Sequence, residues 1–96
     1  MKHELKIDST VFEVLACGKK TFELRKNDRD YKVGDILILR ETRYNGAEMA
    51  LGNPLEYTGR EEVRLVSHIL LGPIYGLSDG WAILSLKHIK NGEIDN

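Results

Sequence analysis

The chain opens with polar and apolar residues in strict alternation. Across His3–Ile7, Leu5 and Ile7 fall on one side and Glu4 and Lys6 on the other, the period of a strand. The spacing then changes. Val11, Phe12, Val14 and Leu15 recur at helical intervals. Asp8 and Ser9 stand where a side-chain oxygen can accept the free N–H groups of a helix start. Gly18 marks the stop, and Lys19 and Lys20 sit where positive charge favours the negative end of the helix dipole. A helix of about ten residues is marginal alone and depends on packing. Thr21–Lys26 alternates again, with Phe22 and Leu24 on one face and Thr21, Glu23 and Arg25 on the other. This predicts a strand whose Thr/Glu/Arg row either forms a polar recognition surface or is the solvated face of an antiparallel sheet.

Asn27-Asp28-Arg29-Asp30 has turn chemistry, because Asn and Asp side chains bond their own backbone. Asp35 is placed to fix the start of the next strand. The continuous run Ile36–Leu39 predicts a strand buried on both faces, with Arg40–Arg43 continuing it into solvent. Tyr44–Arg60 holds Asn45-Gly46, Gly52-Asn53-Pro54 and Thr58-Gly59 and reads mostly as loop. A further strand, Glu61–Leu71, sets Val63, Leu65, Ser67 and Ile69 against Arg64, Val66, His68 and Leu70. Gly72-Pro73 ends it, and a last strand spans Trp81–His88. The polar tail, 90–96, is expected to fray. About five strands and one N-terminal helix predict a mainly β (α+β) chain: one domain over 1–96, a small curled β-barrel with a helical plug.

Charge and cysteine content narrow the class. A formal net charge of −1 provides no global basic field, so any nucleic-acid surface must be a local patch drawn from the 14 Lys and Arg residues. The lone Cys17 forms no internal disulfide and points to a reducing compartment, the cytoplasm. Within Val14–Cys17 it reads as a buried filler. No run approaches the ~20 apolar residues of a membrane span, and the N-terminal residues lack a signal-peptide apolar region. His3, His68 and His88 are widely separated with no Cys pair, so no metal is expected. No cofactor is expected either, because phosphate-loop and dinucleotide fingerprints are absent.

The stretch Gly18-Lys19-Lys20-Thr21-Phe22-Glu23-Leu24-Arg25 resembles the G-x-K-x-x-E-x-R signature of the ASCH domain, a branch of the PUA-like superfamily. The wider pattern resembles a small ASCH-like family of bacteria and phages. It comprises His3–Ile7, Phe12, Arg25–Asp35, Ile36–Glu41, Gly76-Leu77, Gly80-Trp81 and Ile83–Leu86. The resemblance implies a PUA-like curled barrel with the signature strand lining a cleft, and RNA or a modified nucleotide as ligand. Some small ASCH proteins are amidohydrolases acting on an acylated nucleoside, with a Lys-x-x-Thr arrangement and a later Glu. Here Lys20 matches the Lys, the Thr position holds Glu23, and Thr21 stands two residues earlier.

The residues themselves support a reader of single-stranded or flipped-out nucleotides. Arg25 offers a planar fork of donors, and Lys20 a point charge for phosphate. Glu23 accepts only and suits the exocyclic amine of cytosine or adenine. Asn27 and Arg29 extend the polar row. Tyr31 and Trp81 are candidates for stacking on a base. His3 joins them only where the first strand borders the signature strand. The enzyme alternative uses Lys20 as base, Glu23 as its partner and Thr21 as nucleophile. A third possibility makes the 44–60 loop, with Met49, Leu51 and Leu55, a protein-docking element.

Overall fold

A computed structural model describes residues 1–89; the tail expected to fray, 90–96, lies outside the described residues. The elements run β1 (Lys2–Asp8), α1 (Ser9–Ala16), β2 (Phe22–Lys26), β3 (Ile36–Thr42), α2 (Gly46–Ala50), β4 (Tyr57–Leu71) and β5 (Trp81–His88). All five strands join one curled sheet in the order β1-β3-β4-β5-β2, a half-barrel. β1 pairs parallel to β3, and every other neighbouring pair is antiparallel. The mainly β architecture with an early helix therefore stands. No helix among the described residues is long and apolar enough to cross a membrane.

The core fills the concave side. Leu5, Ile7, Leu37, Leu39, Val66, Leu84 and Leu86 project inward from the strands, and Phe12 and Leu15 come down from α1, which packs on β1 and β3. Burying a side chain such as Phe12 contributes about 1.5–3 kcal/mol, and this anchors a helix too short to persist alone. Gly18, at φ +82°, takes the left-handed turn that ends the α1 region, and Lys20 N–H then donates to Val14 O (2.9 Å). That turn delivers Lys20 to the start of β2.

Several expectations are corrected. Cys17 is exposed rather than a buried filler, because it caps the solvent side of α1. In the 44–60 segment, Asn45 and Glu48 form a reciprocal capping box that starts α2, and β4 begins at Tyr57, so the loop is shorter than its Gly and Pro content predicts. Arg40–Arg43 does not simply run into solvent: Glu41 and Thr42 are buried, with Thr42 Oγ1 donating to Tyr44 O (2.8 Å) and Glu41 accepting from Thr58 Oγ1 (2.7 Å). Only one face of β3 is fully covered, since Leu37 and Leu39 are buried while Ile36 and Ile38 are half-buried. In β4 a bulge between Val66 and His68 resets the alternation. Arg64 and Val66 therefore face inward before it, and Ile69 packs on the core after it. Arg64 is tolerated there because it donates to Leu15 O (3.0 Å) at the carbonyl end of α1 and pairs with Glu62 (2.9 Å).

Candidate functional site

β1 and β2 are the two ends of the sheet order, so they are the free edges of the half-barrel. They face each other across a seam spanned by side chains. Arg25 Nη2 donates to Lys6 O (2.8 Å) and Arg29 Nη1 donates to Glu4 O (2.7 Å), two carbonyls of the β1 edge. On the other edge, Thr21 O accepts from Leu86 N and Asn27 N donates to Gly80 O, both toward β5. Backbone alternation then turns the amides of Phe22, Leu24 and Lys26 away from β5 and toward the seam.

The alternation read in β2 is correct, and its facing excludes the solvated-face reading. Phe22 and Leu24 are the exposed residues, at 47% and 49%, while Glu23 is buried at 4%. The buried carboxylate is held by one cation on each oxygen. Lys20 Nζ donates to Oε1 (3.0 Å) and Arg25 Nε donates to Oε2 (3.1 Å). A buried carboxylate is tolerated only with such partners. Phe22 contributes from outside: the Lys20 ammonium lies 5.2 Å from its ring centroid.

A pocket of about 470 Å³ opens at this seam. β2 contributes Glu23, Leu24, Arg25 and Lys26, with Lys20 just before it. β1 contributes Lys6, Ile7 and Asp8; α1 contributes Val11, and β5 contributes Trp81. Its volume falls within the roughly 300–1,000 Å³ typical of small-molecule sites. Four cations (Lys6, Lys20, Arg25, Lys26) face two carboxylates (Asp8, Glu23), so the pocket carries an excess of positive charge on a chain whose formal net charge is −1. Low-dielectric walls focus such a field.

The predicted site residues separate into two groups. Lys20, Glu23, Arg25 and Trp81 meet in the pocket. Asn27, Arg29 and Tyr31 do not line it. Asn27 Oδ1 accepts from Tyr31 N (3.0 Å) and shapes the turn, which Asp30 passes at φ +50°. Arg29 is committed to the Glu4 carbonyl. Tyr31 is buried in the core at 4% exposure, edge-on to the His3 ring with centroids 4.9 Å apart, so no base can reach its face. Burial raises the pKa of its hydroxyl, against the opposing influence of Arg29 and Arg25. Thr21 is exposed and outside the pocket lining, which leaves the Lys20–Glu23 pair without the hydroxyl nucleophile of the enzyme alternative.

His3 also stays out of the pocket although β1 borders the seam. It shares a 2.8 Å hydrogen bond with buried Asp35, which accepts further from Lys32 N (3.0 Å) and the Met1 ammonium (3.2 Å). Burial alone would raise the Asp35 pKa, but these donors outweigh it and hold the carboxyl below its ordinary value. Asp35 thus fixes the start of β3, as expected. Sequence reasoning missed Lys6, Asp8 and Lys26. They carry the right charges, but only the meeting of the two sheet edges brings them together. Among the described residues no cluster of three or more His, Cys, Asp or Glu side chains is placed to hold a metal ion.

Comparison with known proteins supplies kinship. Within the chain, 39 residues are 49% identical to a protein of Escherichia phage P2 described as "Uncharacterized 12.9 kDa protein in GpA 3'region". The match covers 41% of this chain and 36% of the phage protein, about a third of that relative's length. Residues 2–86, almost the whole described fold and every residue of the pocket, match the family described as "Domain of unknown function (DUF3850)", and the chain belongs to that family.

Proposed function

We propose that this chain is an ASCH/PUA-like domain that binds RNA or a modified nucleotide in the seam pocket. The observation that carries this reading is the concave, electropositive pocket walled by Lys20, Glu23 and Arg25 on a chain without overall positive charge. Phosphate is the natural partner of Lys6 and Lys26, both exposed residues of the pocket lining. Trp81, 36% exposed, offers an apolar wall for one base. The pocket has room for a nucleotide taken singly, which favours a single-stranded or free ligand over a duplex. The likeness of Gly18–Arg25 to the ASCH signature supports a role on nucleic acid, and the kinship with a phage protein agrees with a bacterial or phage setting. The exposed thiol of Cys17 agrees with a reducing compartment, the cytoplasm.

Trp81 is the chain's single tryptophan and lies in the pocket wall, so its emission is a built-in probe. Titration with short single-stranded RNA at several salt concentrations quenches it. Replacing Lys6 or Lys26 by Ala weakens binding and lowers the salt slope by about 0.7 for each phosphate no longer neutralised. Unchanged emission across RNA and mononucleotides at low salt would overturn the proposal.

A further inference from the structure

We infer that the pocket selects a guanine base, read through the Watson–Crick edge by Glu23 and Lys20. The inference rests on the nucleotide reading above and goes further by naming the base. Its starting point is how Glu23 is held. A single arginine fork would occupy both carboxylate oxygens from one side. Here each oxygen receives a different cation, Lys20 on Oε1 at 3.0 Å and Arg25 on Oε2 at 3.1 Å. An ionised carboxylate has about four acceptor sites, so each oxygen keeps one to spare. Glu23 lines the pocket and is otherwise enclosed at 4% exposure, so a ligand donor reaches what remains of its accepting capacity from the pocket side. The array met by a ligand is therefore donor, acceptor, acceptor, donor: the Lys20 ammonium, the two Glu23 oxygens and the Arg25 guanidinium. The ammonium has three N–H groups and spends one on Glu23.

The complement of that array is two adjacent N–H donors flanked by an acceptor. Guanine presents it, with O6 toward Lys20 and N1–H and the N2 amine toward the two oxygens. Adenine and cytosine each place a ring-nitrogen lone pair against the carboxylate. Uracil offers one N–H and leaves one oxygen without a donor. Hypoxanthine keeps O6 and N1–H and lacks only the amine. A guanidinium group also has paired donors, but the surplus positive charge of the pocket repels it, whereas a guanine nucleotide brings a phosphate for Lys6 or Lys26.

The test is calorimetric titration of the unmodified protein with GMP, IMP, AMP, CMP and UMP under one low-salt condition. GMP is expected to bind tightest, with IMP about tenfold weaker or more, the size of one lost hydrogen bond to a charged acceptor. AMP and CMP are weaker still. Equal affinity for all five overturns the guanine inference and leaves the nucleotide reading standing; no binding by any of them, or by RNA, removes both. E23Q, checked for folding by circular dichroism, is expected to lose the preference for GMP over IMP, because an amide replaces one acceptor by a donor. Retention of that preference in folded E23Q overturns the inference, and the comparison of GMP with IMP on the unmodified chain decides the matter even where E23Q does not fold. A penta-uridine with one central guanosine separates the sources: tighter binding than GMP assigns the guanine to RNA, and equal binding assigns it to the free nucleotide. Either result supports guanine selection provided that penta-uridine itself binds more weakly.

Discussion

Replacing Arg25 tests whether an arginine holds the half-barrel's edges together. Its guanidinium makes two charge-assisted hydrogen bonds, to Glu23 Oε2 at 3.1 Å and to Lys6 O at 2.8 Å, with its side chain 27% exposed. Hydrogen bonds to charged groups contribute about 1.5–3 kcal/mol each. Partial exposure and the Lys20 bond that Glu23 retains reduce the sum, so Arg25→Met is expected to cost about 2–4 kcal/mol. A domain of this size has about 5–15 kcal/mol in total, so the variant still folds at room temperature. Its melting temperature falls by roughly 8–30 °C at about 4–8 °C per kcal/mol. Arg25→Lys keeps the charge but not the fork, so it satisfies one partner and loses about half as much. Urea unfolding at neutral pH measures both. If Arg25→Met lies within about 0.5 kcal/mol of the parent, as surface substitutions usually do, the seam is not held by this residue. The same arithmetic makes Arg25 a poor probe of ligand binding, since its loss loosens the pocket wall as well as its charge.

Other outcomes follow from the same geometry. Asp35 has a folded pKa held below the unfolded value near 3.8, so its stabilisation is fully present above that value and disappears as pH falls through the lower folded value. Asp35→Asn is therefore less stable than the parent at pH 7, and the difference shrinks as pH falls below the unfolded value and through the lowered folded one. Leu24→Lys changes stability by at most about 0.5 kcal/mol because Leu24 is half-exposed, whereas Leu84→Ala, at a fully buried position, costs about 2–5 kcal/mol in the same denaturant assay. Gly72→Ala destabilises the protein, since a Cβ there collides with the backbone carbonyl of Ser78, and a melting temperature equal to the parent's contradicts this. Cys17 reacts with a thiol reagent in the folded protein at a rate close to that in urea, because it is exposed; strong protection contradicts its placement.

Much of this fold is written in local periodicity. The alternations of β1 and β2, the helical stripe of α1 and the last strand at Trp81–His88 correspond to elements within a residue or two of their expected limits. The turn at Asn27–Asp30 and the role of Asp35 were legible because short polar side chains bond nearby backbone. Facing was not legible. In β2 the apolar residues lie outside and Glu23 inside, because two cations supplied by residues on either side make burial of a carboxylate tolerable, and alternation does not reveal which row is neutralised. The bulge in β4 hid Arg64 and Val66 on one face and Ile69 on the same one, since a single extra residue reverses every later assignment. Tyr31 is a stacking candidate by its aromatic ring alone, yet the turn before it carries that ring into the core. Half of the pocket's charge comes from Lys6, Asp8 and Lys26. Their relevance depends on two strands at opposite ends of the sheet order meeting across the seam, a tertiary fact without a local signature.

At issue is whether the seam pocket receives a nucleotide. Amide and indole NMR shifts of the labelled protein, followed during addition of mononucleotide or single-stranded RNA, address it directly. Saturable shifts are expected at Lys6, Leu24, Arg25, Lys26 and the Trp81 indole, diminishing as salt is raised, with Glu41, Thr58 and Arg60 unmoved. Shifts centred on Glu41, Thr58 and Arg60, or an unchanged spectrum at saturating nucleotide, would contradict it.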